Sequence, residues 1–147
     1  MRHFAKAFAR ALPAGCYADA GWLELPLGPV GRAVFAVHID DTGHIEQVER
    51  DPDVPAPAII QRMIERAIVL LRAGTFSLEP GRVSAGIEWM ELHVVLSQTA
   101  ANTDPDANGR HLRAEGHETP TWQRPGRGYF TLNSGLHMEA SLRLLRR

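Results

Sequence analysis

The sequence predicts an α+β domain, an antiparallel sheet with one main helix packed on it. The order is hairpin, helix, long strand, with an extra C-terminal β-hairpin. Three observations carry that expectation. Residues 32–40 alternate between two faces and run into Asp41-Thr42-Gly43. Residues 58–72 repeat apolar side chains at helical spacing. Residues 83–97 and 129–145 return to a period of two. Helical and extended periods segregated in this way fit a helix lying on an antiparallel sheet.

The elements follow in order. Met1 to Gly15 places Phe4, Ala7, Phe8, Ala11 and Leu12 at helical spacing. It reads as a short amphipathic helix packed on the domain. Lys6 and Arg10 interrupt the apolar stretch that a secretory signal needs. Leu12-Pro13-Ala14-Gly15-Cys16 is a poor lipoprotein box for the same reason, and Cys16 is expected as a small buried residue. Trp22 to Leu27 reads as a short edge strand or extended lead-in, broken by Pro26 and Pro29. Ala33, Phe35, Val37 and Ile39 share one face of the first strand. Gly43 frees the turn, and His44 to Arg50 is the return strand.

Asp51 to Pro57 is a connector, with Asp53 available to cap the helix and Pro55 or Pro57 suited to its first turn. Ile60, Met63, Ile64, Ala67, Ile68 and Leu71 form the apolar stripe of a helix ending near Arg72, with Gly74 as its terminating glycine. Thr75 to Gly81 is a loop anchored by Phe76 and Leu78. In the long strand, Met90, Leu92, Val94 and Leu96 are the core face, because the other face carries Glu91 and His93. Residues 98–128 are polar and rich in turn formers, and read as a long loop with a short strand near His111 to Ala114 and Trp122 as its anchor. Tyr129 to Leu132, Asn133-Ser134-Gly135 and Leu136 to Leu145 form the closing hairpin. The domain plan is 1–27 N-terminal segment and lead-in, 28–97 core, 98–128 loop and 129–147 hairpin.

Composition limits the function. The 147 residues are 44% hydrophobic and 22% charged, which is one folded domain. Sixteen basic residues oppose seventeen acidic ones, so no field gathers nucleic acid. No apolar run is long enough to span a bilayer. One cysteine excludes an intrachain disulfide and any multi-cysteine zinc site. Phosphate-loop, dinucleotide, Gly-x-Ser-x-Gly and His-Glu-x-x-His motifs are absent. No cofactor and no metal are expected. Seven histidines raise a metal question, with His38, His44 and His93 the nearest to a set, but exposed strand histidines are the plainer reading. Asp40 and Asp41 read as turn formers, not an acid–base pair. Ser134, His137 and Glu139 lie too close in sequence to converge as a nucleophile and its base. Trp89 is expected to cover one sheet face.

Residues 28–97 resemble the TonB/TolA C-terminal domain. Gly31 to Gly43 resembles that family's strand and aspartate-glycine turn, and His44-Ile45-Glu46-Gln47-Val48-Glu49-Arg50 its return strand. Ala58 to Arg72 resembles the helix, Ala73 to Leu78 the aromatic segment after it, and Ile87 to Leu96 the last strand. The sequence departs from the pattern in lacking the Tyr-Pro segment before the first strand and a proline after Phe76. The resemblance implies a non-catalytic module that binds a protein partner by β-strand addition in the periplasm or cell envelope, linked to energy-coupled outer-membrane transport. The expected contact edge is Ile87, Trp89, Glu91, His93 and Val95, with the terminal hairpin as a second edge and a homodimer through paired edges as one outcome. Without a signal peptide, a cytoplasmic setting is the other localisation. The alternative function is a small-ligand or metal-dependent enzyme using His38, His93 and Glu91 on an open sheet face.

Overall fold

The computed structural model describes residues 2–73, 85–100 and 111–146. It contains two long helices, α1 (Arg2–Cys16) and α2 (Ala58–Arg72), and a short 3₁₀ turn, Ala20–Glu24. The strands are β1 (Gly28–Ile39), β2 (Ile45–Arg50), β3 (Gly86–Gln98), β4 (Leu112–Glu118), β5 (Gly126–Leu132) and β6 (Leu136–Leu145). All six belong to one sheet, in the order β2-β1-β3-β6-β5-β4, and every pair is antiparallel. The α+β class is therefore correct, with a larger sheet and a second full-length helix.

One face of the sheet carries the core. Phe35 and Val37 of β1, Met90 and Leu92 of β3, and Met138 and Leu142 of β6 are all buried. They meet the buried stripe of α2 and the inner face of α1 in one continuous cluster. Phe4, Phe8 and Phe35 stack in sequence, with centroids 5.9 and 5.3 Å apart. Such ring pairs add to the burial of apolar area that drives the layer together.

The seating of α1 depends on glycine. Pro13 lies inside that helix and has no N–H for the Ala9 carbonyl. A side chain at Gly128 of β5 would begin 2.8 Å from that carbonyl oxygen and 2.9 Å from Pro13 Cδ. The bare glycine lets helix and strand approach there. Behind the helix, the Trp22 indole N–H donates to the carbonyl of Cys16, the last residue of α1, at 2.9 Å. The Trp22 ring meets Phe130 edge-on at 6.0 Å.

Several boundaries differ from expectation. The lead-in at Trp22 is a 3₁₀ turn, not an extended segment. Asp19 Oδ1 accepts from the Gly21 amide at 2.9 Å and curls the chain, while the buried indole fixes it. Pro57, not Asp53, stands at the start of α2, with no side-chain cap. Its carbonyl already accepts from the Ile60 and Gln61 amides, and its missing N–H costs nothing at that position. The long strand begins at Gly86, not residue 83. The strand expected near His111 extends from Leu112 to Glu118 and forms an outer edge of the sheet. Gly74, the loop of Phe76 and Leu78, and residues 101–110 of the polar loop lie outside the described residues.

Asp19 ties this architecture together electrostatically. Its carboxylate accepts from Arg62 Nε at 3.0 Å and Arg66 Nη1 at 3.1 Å, so the turn after α1 is clamped to α2. Burial works against the charge, but the Arg62 bond, the Gly21 amide and both guanidiniums hold the carboxyl below its ordinary value. A carboxyl with a depressed native value contributes stability above its unfolded value and loses it as pH falls through the native one.

Two outcomes test this packing. Gly128→Val should destabilise the domain by about 2 kcal/mol or more in urea unfolding, because the new methyls have no space under α1. Asp19→Asn should lose about 1–2 kcal/mol at pH 7, and the difference from wild type should shrink below about pH 4.

Candidate functional site

The sheet offers two distinct surfaces: an uncovered face and its outer edges. On the uncovered face, the register aligns Arg32 with His93 and Ser141, Val34 with Glu91 and Arg143, and Ala36 with Trp89 and Leu145. Ala36 and Val34 are fully or nearly fully buried despite pointing this way, beside Trp89 and Glu91 in register. Ile87 and Val95 stand exposed at 53% and 44%.

Most charged groups on this face are paired with neighbours, while the buried Arg127 Nε has no partner among the described residues. Glu91 accepts from Arg32 at 3.4 Å and pairs with His93 Nε2 at 2.7 Å. His38 meets Glu49 at 3.1 Å. His137 meets the Thr131 hydroxyl at 2.9 Å and lies against the Tyr129 ring at 5.7 Å. Arg127 bridges Glu139 and Glu118, each at 3.0 Å, and these two carboxylates raise its affinity for its proton further. Exposed pairs of this kind fix side-chain positions more than they stabilise the fold.

The expected histidine set does not assemble. His38 aligns with Ile87 of β3 and Arg32 with His93, so His38 and His93 are separated by six strand positions, about 20 Å at ~3.3 Å each. His44 instead bonds the Thr42 hydroxyl at 2.6 Å. Among the described residues, no group of three or more His, Cys, Asp or Glu is placed to hold a metal ion. Asp40 Oδ1 accepts from the Thr42 amide and hydroxyl and from the His44 amide, which is a turn-forming role. The Thr42 hydroxyl is the largest cause of its lowered pKa. Ser134 Oγ accepts from the Leu136 amide and stands apart from His137, which is held by Thr131. Cys16 is buried and its thiol points at the Leu12 carbonyl at 2.9 Å, and burial pushes its pKa well up, which makes it a poor nucleophile. Trp122 is 41% exposed, with the Arg146 guanidinium 4.8 Å from its ring centroid.

The expected contact edge is an interior strand. Trp89, Glu91, His93 and Val95 belong to β3, which pairs with β1 on one side and β6 on the other. Ile87 pairs with His38 and lies beyond the end of the β6 ladder. The four interior residues have no free ladder groups to offer, so this set presents side chains and not an edge. The terminal hairpin is interior too, because β5 and β6 lie between β3 and β4. The pairing of β3 with β6 closes the edge that a three-stranded unit would have left open.

Among the described residues, the free edges are β2 and β4. On β2, the Asp51 amide donates to the Val34 carbonyl at 2.8 Å, and the register pairs Ala36 with Glu49 and His38 with Gln47. Bonded and unbonded pairs alternate in an antiparallel ladder. Asp51, Glu49 and Gln47 therefore turn their backbone toward β1, while Val48 and Arg50 turn theirs outward. Two hollows flank this strand. One of about 300 Å³ is lined by Val48, Ile64, Glu65, Ile68, Val69 and Arg72. The other, about 470 Å³, runs from Val48 and Arg50 to Pro55, Ala56 and Gln61. Val48 lines both, so they form one groove between the edge of β2 and the flank of α2. Val69, 63% exposed, lies on its rim. The hollow beside β4 is smaller, about 200 Å³, and is lined by Arg10, Pro13, Glu115, Gly116 and His117. Burial, Arg10 and Lys6 there lower the pKa of His117.

The chain matches no family model, no curated protein and no solved structure. The site is therefore read from its own geometry. Among the described residues, no helix is long and apolar enough to cross a membrane. Sequence periodicity found the hairpin that contains β2 but not its place at the rim, because strand order depends on pairings made far along the chain.

One carboxyl sits among the core residues. Glu88 lies on the core face of β3, opposite Val37, with 4% exposure. Among the described residues its Oε1 has no hydrogen-bond partner, and burial raises its pKa. A raised native value means that the contribution of the neutral carboxyl is complete below the unfolded value and is lost as pH rises through the native one. Glu88→Met should therefore gain about 1–3 kcal/mol at pH 7 in urea unfolding, with the gain shrinking toward pH 4.

Proposed function

We propose that this chain is a non-catalytic protein-interaction module that takes an extended partner strand onto the free edge of β2. The single observation behind this reading is the groove in which Val48 and Arg50 turn outward backbone groups that are unpaired among the described residues, beside apolar side chains of α2. A strand added there gains main-chain hydrogen bonds from β2, and its alternate side chains enter the apolar hollow. Among the described residues, the hollow beside β4 is smaller and lined mainly by polar groups. We read the unit β1-β2-α2-β3 as related in plan to the TonB/TolA C-terminal type. On that reading the partner is an envelope protein able to present an extended segment, and transport coupling is the process served.

The test exploits the phase of the ladder. Arg50→Pro removes an N–H that faces the groove and leaves every β1 bond in place, and it holds Glu49 in the extended form already present. Arg50→Ala keeps the N–H. Random peptides about ten residues long, displayed on phage, should be enriched by the wild-type domain. Binding of the selected peptides should fall about tenfold in Arg50→Pro and persist in Arg50→Ala, with melting temperatures unchanged within a few degrees. Enrichment of no peptide, or equal binding to the proline variant, rejects strand addition at β2.

A further inference from the structure

We infer that the strand taken by β2 runs antiparallel to it and carries three consecutive residues of set character: a carboxylate opposite Arg50, a basic or neutral residue opposite Glu49, and a large apolar residue opposite Val48. This rests on the strand-addition reading and names the chemistry of the partner at the same edge.

The short regular run of β2 sets the length of this motif. Its ladder with β1 is even from Gln47 to Arg50 and slips between Gln47 and Ile45. Within the even part, Val48 and Arg50 turn their backbone outward. Each can form a bonded pair with one partner residue, and the residue between those two falls opposite Glu49. The sheet is antiparallel throughout, and antiparallel pairing is the stronger per residue. In that direction the residue opposite Arg50 comes two places before the one opposite Val48.

The surroundings of each place fix what it takes. Residues directly opposite in a ladder share a face. Val48 aligns with Val37 and Arg50 with Phe35, both buried on the helix-covered face. Along this flank α2 runs opposite to β2. Gln61 shares a hollow with Arg50, and Arg72 Nη2 reaches the Ile45 carbonyl at 3.4 Å. The partner residue opposite Val48 therefore enters the hollow of about 300 Å³ beside Ile64, Ile68 and Val69. A large apolar side chain there removes apolar surface from water, Val69 included. The residue opposite Arg50 comes alongside an exposed guanidinium that, among the described residues, enters no ion pair and no side-chain hydrogen bond. Opposite charges across a ladder attract and like charges repel, so this place takes a carboxylate. The residue between them lies on the uncovered face beside Glu49, whose carboxylate is exposed and 3.1 Å from His38. A second carboxylate there meets a like charge. Of the other charges along the groove, Glu65 and Arg72 line the apolar hollow with opposite signs, and Asp51 Oδ1 accepts from the Asp53 amide.

Selected peptides and charge reversal test the motif. Among ten-residue peptides enriched from the phage library by the wild-type domain, Asp or Glu should be over-represented two places before a large apolar residue and depleted at the place between. Synthetic copies are titrated against wild type, Arg50→Ala and Arg50→Glu, with melting temperature as the fold control. Arg50→Ala loses only an attraction and should weaken binding about threefold, whereas Arg50→Glu adds a repulsion of similar size and should weaken it about tenfold. Exchanging the peptide's carboxylate for lysine should return its affinity for Arg50→Glu to within about threefold of the original pair. Exchanging its apolar residue for alanine should cost about tenfold in all three proteins. Selected peptides without this order of residues, or equal binding to wild type and Arg50→Glu, overturn the inference. If such peptides still distinguish Arg50→Pro from Arg50→Ala, strand addition at β2 stands without the motif. Enrichment of no peptide removes both readings together.

Discussion

A six-stranded antiparallel sheet has two faces and two edges, and two helices can cover only part of that boundary. In this chain both helices lie on the same face. Their stripes and the inward residues of the sheet form one apolar cluster that includes Phe8, Phe35, Met63, Leu92 and Leu142. The opposite face is left to Arg32, Glu91, His93, Arg127, Glu139 and His137, which occupy one another. One-sided cover settles what remains for function. Most of that face's charged side chains are held in local pairs, and among the described residues the main-chain groups of β2 and β4 at the rim have no ladder partner.

The helices were legible because burial on one side leaves a period in the sequence. Residues 58–72 and the segment from Phe4 to Leu12 show it plainly, and both are helical. The first hairpin was legible for a local reason, since Asp40 and Gly43 build the turn within a few residues. Gly43 adopts φ +86°, a conformation that few other residues take without strain. The strand β4 left a weaker trace. Most of its residues are exposed and Gly116 interrupts it, so no apolar alternation marks it beyond Ala114. The 3₁₀ turn at Trp22 was hidden for a different reason, because an indole between two prolines fits an extended segment equally well until its burial is known.

The site was less legible than the fold. Whether a strand is interior or outermost depends on which distant segments pair. Met90 of β3 lies opposite Leu144 of β6, more than fifty positions later. Periodicity reports the faces of a strand but says nothing of its flanks. The sequence marks of β3, one apolar and one polar face, suit an edge and an interior strand alike. The histidines show the same limit. Alternation placed His38 and His93 on one face correctly, but only the register shows that they stand at opposite ends of it.

The charges along β2 bear on how a free edge is kept from indiscriminate pairing. Edge strands commonly carry charged residues that make unwanted partners costly. Glu46, Glu49 and Arg50 meet that description, and a charge that repels most strands is compatible with one that selects a few. The ladder also breaks within β2, where the register runs from Gln47 to Ile45 and leaves Glu46 as a bulge. A bulge interrupts regular pairing and twists an edge away from flat approach. Only Val48 and Arg50 keep the regular outward phase, so a strand meeting this edge finds a short run of main-chain groups and not a long template. Charge and bulge therefore narrow the same edge in two different ways.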